Sequence, residues 1–223
     1  AMAELSAARP DLDIVATDAF ISVNGIPRSR FSTATPFPVT DQRTAILETC
    51  FVTCPAIRVS RLQAIGGFDE ELPVASDWDC LLRLILDGAA AGCVPEPYYE
   101  YRQVENSLTS DRVRALHARV AVLRKALRES PVTPEERAAL RSSLRQKATR
   151  AALAELETAL RPSEEKNFDR RRLLTLARSS PLSIRARILL ATAAVAPGLA
   201  REFVPHDEGA LLRRTPRRAE AER

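Results

Sequence analysis

The sequence is poor in aromatic residues, lysine and methionine. Only 5% of its 223 residues are aromatic, Trp78 is the single tryptophan, and three of the 33 basic residues are lysine. Proteins that bind nucleic acid combine a strong positive charge with aromatic residues that stack on bases. Here the basic residues lack interleaved aromatics and the formal net charge is only +4. We therefore expect no nucleic-acid partner.

Cysteine and histidine are also scarce. The sequence contains four cysteines and two histidines, namely Cys50, Cys54, Cys80, Cys93, His117 and His206. No two cysteines have the two-residue spacing of a zinc ligand pair, and the histidines lie elsewhere in the chain. The sequence therefore predicts buried free thiols in a reducing compartment instead of a zinc site.

Long hydrophobic runs are missing as well. The most apolar late stretch, Ile188–Leu199, is shorter than the roughly 20 residues that a transmembrane helix needs, and Pro197 interrupts it. No signal-peptide pattern is visible either. We therefore expect a cytoplasmic protein, with peripheral contact at the inner face of the membrane as an open alternative.

The order of the predicted elements indicates an α/β region followed by an all-α region. Strand-like runs occupy Asp13–Thr17, Phe20–Val23, Thr49–Val52 and Tyr98–Arg102, with Asn24-Gly25 as a hairpin signal and Pro95-Glu96-Pro97 as a turn. Helical patterns occupy Val59–Ile65, Asp111–Arg128, Phe168–Arg178 and Ser183–Val195. Two further helices are predicted from their caps. One begins at Ser76 and ends near Gly88, and the other begins at the capping box of Thr133 and extends to Pro162. We divide the chain into an α/β part at residues 1–109, a helical extension at 110–204 and a polar tail, expected to be disordered, at 205–223.

One ordered set of motifs carries a family resemblance. It comprises Gly66-Gly67-Phe68-Asp69-Glu70, Ser76-Asp77-Trp78-Asp79, Leu82-Arg83-Leu84, Gly88, Pro95-Glu96-Pro97, Tyr101-Arg102 and Asn106-Ser107. This order and spacing resembles the acceptor-side half of the inverting family 2 glycosyltransferases, which have the glycosyltransferase-A fold. The resemblance covers about half of the chain, from Asp13 to Ser107, and implies a partial glycosyltransferase-A domain.

The resemblance also implies roles for individual residues. An inverting transferase needs a carboxylate that removes the proton of the attacking hydroxyl. The family places this base second in an acidic pair that opens a helix, which corresponds to Asp77, while Ser76 replaces the usual first carboxylate. Substrate contacts are implied for Gly66, Gly67, Phe68, Asp69, Trp78, Asp79 and Arg102.

Each of these residues also has a purely structural interpretation. Asp77 suits the positive end of a helix dipole, and a Gly-Gly pair suits a helix C-terminus. The remaining alternatives are core positions for Phe68 and Trp78, a solvated turn for Asp69-Glu70, and an ion pair of Arg102 with Asp77 or Glu100.

The divalent metal expected for the intact family enzyme, manganese or magnesium, has no identifiable ligands in this sequence. The family holds it with an Asp-x-Asp at the end of a strand. Asp11-Leu12-Asp13 precedes a strand instead, Asp18 lacks a second carboxylate, and Val104 stands where metal-dependent members carry a late histidine. A truncated enzyme, a half supplied from elsewhere and a degenerate member all remain open.

The resemblance implies an enzyme of bacterial polysaccharide or cell-envelope biosynthesis. It would transfer a sugar, with inversion, from a nucleotide sugar to a saccharide or lipid-linked acceptor. The alternative is a non-catalytic helical interaction or scaffold protein with a degenerate transferase remnant. The helical extension could pack on the catalytic domain, form a homodimer, or lie on an anionic membrane through Arg170-Arg171-Arg172 and the Ile188–Leu190 face.

Overall fold

The structure is a computed structural model that describes residues 1–23, 25–104, 111–160, 169–179 and 181–203. The chain divides into two compact units, Ala1–Ala151 and Ala152–Arg223. The predicted turn residue Asn24, the motif residues Asn106-Ser107 and the predicted tail at 205–223 lie outside the described residues.

The first unit combines a sheet with helices, and the second is helical, which confirms the predicted order of an α/β part and an all-α part. The first unit contains α1 (Met2–Ala8), β1 (Ile14–Val23), β2 (Ile26–Arg30), α2 (Phe31–Ala34), α3 (Gln42–Glu48), β3 (Ala56–Ile57), α4 (Val59–Ala64), α5 (Ser76–Leu86), β4 (Ala91–Gln103) and α6 (Arg112–Glu129). Helix α7 (Pro134–Ala159) continues into the second unit, which also contains α8 (Arg170–Arg178), α9 (Ile184–Val195) and α10 (Pro197–Phe203).

Strand β1 is the centre of a four-stranded mixed sheet. Strand β4 pairs with it in parallel along its whole length, from Ile14 opposite Ala91 to Val23 opposite Gln103. Because β4 occupies one entire edge of β1, the antiparallel strands β3 and β2 share the other edge. The first six residues of β1 are all buried, as expected for a strand covered on both faces.

Strand β4 continues through the Pro95-Glu96-Pro97 triplet, so the prediction of a turn there is wrong. The pairing register with β1 shifts at Asp18, which stands opposite Pro97. At the shift the hydroxyl of Thr17 donates to the carbonyl of Glu96 at 2.6 Å and accepts from the N–H of Tyr98 at 3.2 Å. A bulge of this kind accommodates prolines, which have no N–H to donate to the ladder.

The predicted strand at Thr49–Val52 is also wrong, because this segment is a loop. Phe51 and Val52 are nevertheless only 3% and 5% exposed. Their apolar character reflects burial of a loop in the core, which a short hydrophobic run cannot distinguish from a strand.

Helix α5 begins differently from the prediction. Ser76 is its first helical residue and not its cap; the N-cap is Ala75, which has a φ of 62° and makes no side-chain capping bond. The helix is stabilised by its buried face instead, and fully burying one Leu or Ile side chain contributes about 1.5–3 kcal/mol. That face includes Leu81, Leu82, Leu84, Ile85 and Leu86.

Helix α6 occupies the predicted segment, with Asp111 as its cap, and α7 begins at the predicted capping box. Asp111 accepts the N–H of Arg114 at 2.9 Å. At the start of α7 the N–H of Glu136 donates to the Thr133 hydroxyl at 3.2 Å, while the N–H of Thr133 donates back to the Glu136 carboxylate at 2.9 Å. The same carboxylate pairs with Arg43 of α3 at 2.6 Å, so the capping box also ties α7 to α3.

The second unit packs α8, α9 and α10 around buried Leu and Ala side chains. Ser183 accepts the N–H of Ala186 at 3.3 Å and so caps α9. Leu190 is completely buried, whereas Ile188 is exposed, so Leu190 does not belong to the predicted contact face and Ile188 does reach the surface. Among the described residues, no helix is sufficiently long and apolar to cross a membrane.

Candidate functional site

An open cleft of about 420 Å³ in the first unit contains the predicted catalytic residue Asp77. We call it the Asp77 cleft. The loop after α3, the first turns of α5, strand β4 and helices α6 and α7 all contribute to it. Its polar and aromatic lining includes Cys50, Thr53, Cys54, Asp77, Trp78, Tyr99, Tyr101, Arg119 and Lys147.

Helix geometry explains why Asp77 faces this cleft. Residues four apart lie on one face of a helix, and Asp77 and Leu81 of α5 both line the cleft. Asp77 lies in the first turn of α5 and is exposed. One of its carboxylate oxygens accepts the N–H of Trp78 at 2.8 Å. The positive end of the helix dipole favours an anionic side chain at this position.

Asp79 is buried and points away from the cleft into an ion cluster with Arg83, Lys125 and Asp69, whose side chains are 18–22% exposed. Two residues along a helix correspond to a rotation of about 200°, so Asp77 and Asp79 face different surroundings. The Asp79 carboxylate is 2.8 Å from Arg83 and 3.0 Å from Lys125, and Lys125 also pairs with Asp69 at 2.6 Å. The hydrogen bond from Lys125 lowers the pKa of Asp69. Asp69 and Asp79 therefore have protein partners for their charges, and the geometry does not favour their predicted role as substrate ligands.

The Gly-Gly turn belongs to this cluster and not to the Asp77 cleft. Gly66 and Gly67 have φ values of 79° and 75°, and Gly67 donates to the carbonyl of Leu62 in a C-terminal cap of α4. The guanidinium of Arg83 donates to the carbonyls of Ile65 and Gly67 at 2.7 Å each. These bonds fix the turn against α5.

Three further predicted substrate residues have different locations. Trp78 is 3% exposed, and its indole N–H donates to the carbonyl of Ile46 at 2.8 Å, so it is a core residue with one side at the cleft wall. Phe68 is 53% exposed and is not part of the cleft lining. Arg102 is exposed at the end of β4, opposite Ser22 in the sheet, and it is also not part of that lining.

The sequence did not point to Tyr99, Arg119 or Lys147 as site residues, and it pointed to Tyr101 only as part of the Tyr101-Arg102 motif. Tyr99 and Tyr101 lie two apart on β4 and therefore on one face of the strand. The spacing of the two tyrosines is visible in the sequence, but the pairing of β4 with β1 is needed to show which face of the strand they occupy. Arg119 and Lys147 come from α6 and α7 and occupy the cleft through tertiary packing.

A second opening of about 320 Å³ adjoins the Asp77 cleft and shares Phe31, Thr35 and Thr53 with it. Asp18 lines this opening from the middle of β1. Its carboxylate accepts from the N–H and hydroxyl of Ser32 at 3.0 and 2.6 Å, from the N–H of Ala19, and pairs with Arg30 at 2.9 Å. Burial opposes ionisation, but these donors together lower the pKa of Asp18.

The described residues do not fit the divalent metal that the family resemblance implies. Asp18 already has its carboxylate surrounded by hydrogen-bond donors and a guanidinium. Across the described ranges, no group of three or more His, Cys, Asp or Glu side chains is arranged to hold a metal ion.

The Asp77 cleft contains both negatively and positively charged side chains. Burial, followed by the charge of Asp77, raises the pKa of the Cys50 thiol to about 12, while Arg119 acts in the opposite direction. Burial also lowers the pKa of Lys147, an effect increased by the nearby charges of Arg150 and Arg119. All four cysteines are free, as predicted, but Cys54 is exposed.

No protein-family model, curated protein or solved structure gives a significant match to this chain.

Proposed function

We propose that this chain carries the acceptor side of an inverting sugar-nucleotide-dependent glycosyltransferase and that Asp77 is its general base. The proposal rests on the position of Asp77, which is exposed at the start of α5 in a cleft of about 420 Å³. Ligand sites of small molecules enclose roughly 300–1,000 Å³. The neighbouring Asp69 and Asp79, in contrast, are bound to Lys125 and Arg83.

The proposed chemistry needs one free carboxylate beside the acceptor. Asp77 accepts the proton of an acceptor hydroxyl while that oxygen forms a bond to the anomeric carbon of the donor sugar. The bond from that carbon to the nucleoside diphosphate breaks on the opposite side, which inverts the configuration. The tyrosine rings of Tyr99 and Tyr101 offer apolar faces and hydroxyl groups for an acceptor sugar in the same cleft.

The test compares Asp77→Asn with Glu70→Gln, a matched carboxylate-to-amide change at an exposed residue outside the cleft lining. We would measure release of nucleoside diphosphate from UDP-, GDP- and dTDP-sugars, with and without manganese, in a pool of saccharide and lipid-phosphate acceptors. Loss of a general base lowers turnover by about a hundredfold or more, whereas Glu70→Gln should be neutral. Calorimetric titration with the same donors checks that Asp77→Asn still binds them.

Two results would count against the enzymatic proposal. Unchanged turnover in Asp77→Asn would remove this residue from the mechanism. If the unsubstituted chain binds these donors in the calorimetric titration but releases diphosphate from none of them, the alternative, a non-catalytic helical interaction protein, is favoured.

The second unit supports a further proposal, peripheral contact with an anionic membrane. Ile184, Ile188 and Val195 are exposed on one face of α9, at helical spacing, and we call them the α9 stripe. Helices α8 and α9 carry exposed arginines and, within their bounds, no acidic residue. An apolar stripe flanked by arginines is the pattern that binds an anionic lipid surface.

A further inference from the structure

Two cations of the Asp77 cleft form no ion pair with any of the described residues. Arg119 and Lys147 line the cleft from α6 and α7, and within the described part of the chain neither has an acidic side chain at ion-pair distance. Three other cations at helix contacts of this unit are paired: Arg43 with Glu136, Arg83 with Asp79, and Lys125 with both Asp69 and Asp79.

The surroundings of Lys147 make an open position for an anion. Its side chain is half-buried, and this burial and the nearby positive charges of Arg150 and Arg119 lower its pKa. The charge of Glu48, which also lines the cleft, acts in the opposite direction. Arg145, two residues earlier on α7, is exposed to solvent. A half-buried cation beside like charges is stabilised when an anion enters.

The positions of the opposite charges match a bifunctional substrate. Asp77 and Arg119 both act on the thiol of Cys50, so both lie close to this residue. A substrate in the cleft would therefore meet the Asp77 carboxylate and the cations Arg119 and Lys147 within one cavity, which Glu48 also lines. Arg forms two-pronged hydrogen bonds with phosphate, and Lys binds phosphate as a point charge.

We propose that Arg119 and Lys147 form a phosphate-binding subsite of the Asp77 cleft. The subsite holds a phosphate or diphosphate group of the substrate while a hydroxyl of the reacting pair meets Asp77, and this coupling to catalysis rests on the proposed function. Two substrates could supply the group: the nucleoside diphosphate of the donor, or the phosphate of a lipid-linked acceptor.

Calorimetric titration of the full chain with inorganic pyrophosphate tests the subsite without any sugar transfer. We expect saturable binding, and we expect Arg119→Gln and Lys147→Gln each to weaken the Kd about tenfold or more, the loss typical of one charge-assisted hydrogen bond. Arg124→Gln on α6 and Arg145→Gln on α7 remove the same charge outside the cleft and should leave the Kd unchanged. Lys147→Arg, which keeps the cation, should restore binding.

Alkylation of Cys54 locates the bound anion. This exposed thiol lines the Asp77 cleft, so pyrophosphate should slow its reaction with iodoacetamide in the unsubstituted chain and not in Lys147→Gln. Equal losses of affinity in the cleft variants and their controls, or no saturable binding of pyrophosphate, would overturn the proposal.

Titration with UDP and with farnesyl phosphate distinguishes the two sources. Whichever ligand loses affinity in Arg119→Gln and Lys147→Gln is the substrate that the subsite holds. Asp77→Asn should retain pyrophosphate binding, because it removes a negative charge from the cleft. Phosphate binding without transfer activity would support the subsite and contradict the proposed function. Transfer activity that depends on neither cation would support the proposed function and contradict the subsite.

Discussion

Substituting Asp79 by Asn should destabilise the first unit although it preserves the shape of the side chain. Asp79 is 2% exposed and neutralises two cations, with its carboxylate 2.8 Å from Arg83 and 3.0 Å from Lys125. Removing one partner of a buried ion pair costs roughly 3–5 kcal/mol, because the remaining charge stays desolvated. Here Lys125 keeps Asp69, and Arg83 keeps two carbonyl partners. We therefore expect a loss nearer to about 2–3 kcal/mol.

Thermal unfolding followed by circular dichroism measures this loss. For a unit of about 150 residues, 1 kcal/mol corresponds to a Tm change of about 2–4 °C, so Asp79→Asn should lower the Tm by about 4–12 °C. Asp77→Asn is the matched control on the same helix. It forfeits only a favourable interaction with the helix dipole, about 0.3–1 kcal/mol. Equal melting temperatures for the two variants would refute the conclusion that the carboxylate of Asp79 stabilises the fold through its ion pairs while that of Asp77 does not.

Two other predictions concern acid stability and membrane contact. The hydrogen bond from Arg43, against the effect of burial, lowers the pKa of Glu136 below its usual value of 4.5. Its contribution to stability is therefore complete above that value and is lost as the pH falls through the lower folded pKa. The Tm difference between the unsubstituted chain and Glu136→Gln should shrink as the pH is lowered from about 6 to about 3, and a constant difference would contradict this linkage. For the α9 stripe, Ile188→Glu should reduce cosedimentation with phosphatidylserine vesicles, whereas Thr175→Glu, which adds the same charge at an exposed position of α8, should have a smaller effect. Equal binding by both variants would exclude the stripe as the contact, and light scattering of the same samples would reveal the homodimer that remains the alternative use of this face.

Local signals in the sequence predicted three helices that begin at a capping side chain, whereas α3, which Asp41 caps, was not predicted. Asp111, Thr133 and Ser183 each precede a helix and accept an N–H from its first turn. These contacts join residues three positions apart, so the sequence contains everything needed to recognise them. Helix α5 shows the limit of this approach, because Ala75 begins it without any capping side chain.

Pairings between distant segments could not be predicted in the same way. Strand β4 passes two prolines because the hydroxyl of Thr17, some 80 residues earlier, replaces ladder hydrogen bonds at the bulge. The surroundings of Lys147 depend likewise on the packing of α6 and α7 beside the loop that follows α3. Neither arrangement leaves a signal within a short window of sequence.

The acidic motif at the start of α5 shows how secondary structure decides the chemistry of a sequence pattern. On a strand, two carboxylates separated by one residue lie on the same face and can bind one ion together. On a helix the same spacing separates them by about 200°, so Asp77 enters the cleft and Asp79 enters the ion cluster. A negative charge is thus available to a substrate from Asp77, and positive charge comes from Arg119 and Lys147. Under the proposed function, a phosphorylated sugar substrate would use both signs of charge, because its hydroxyl needs a proton acceptor and its phosphate needs a cation.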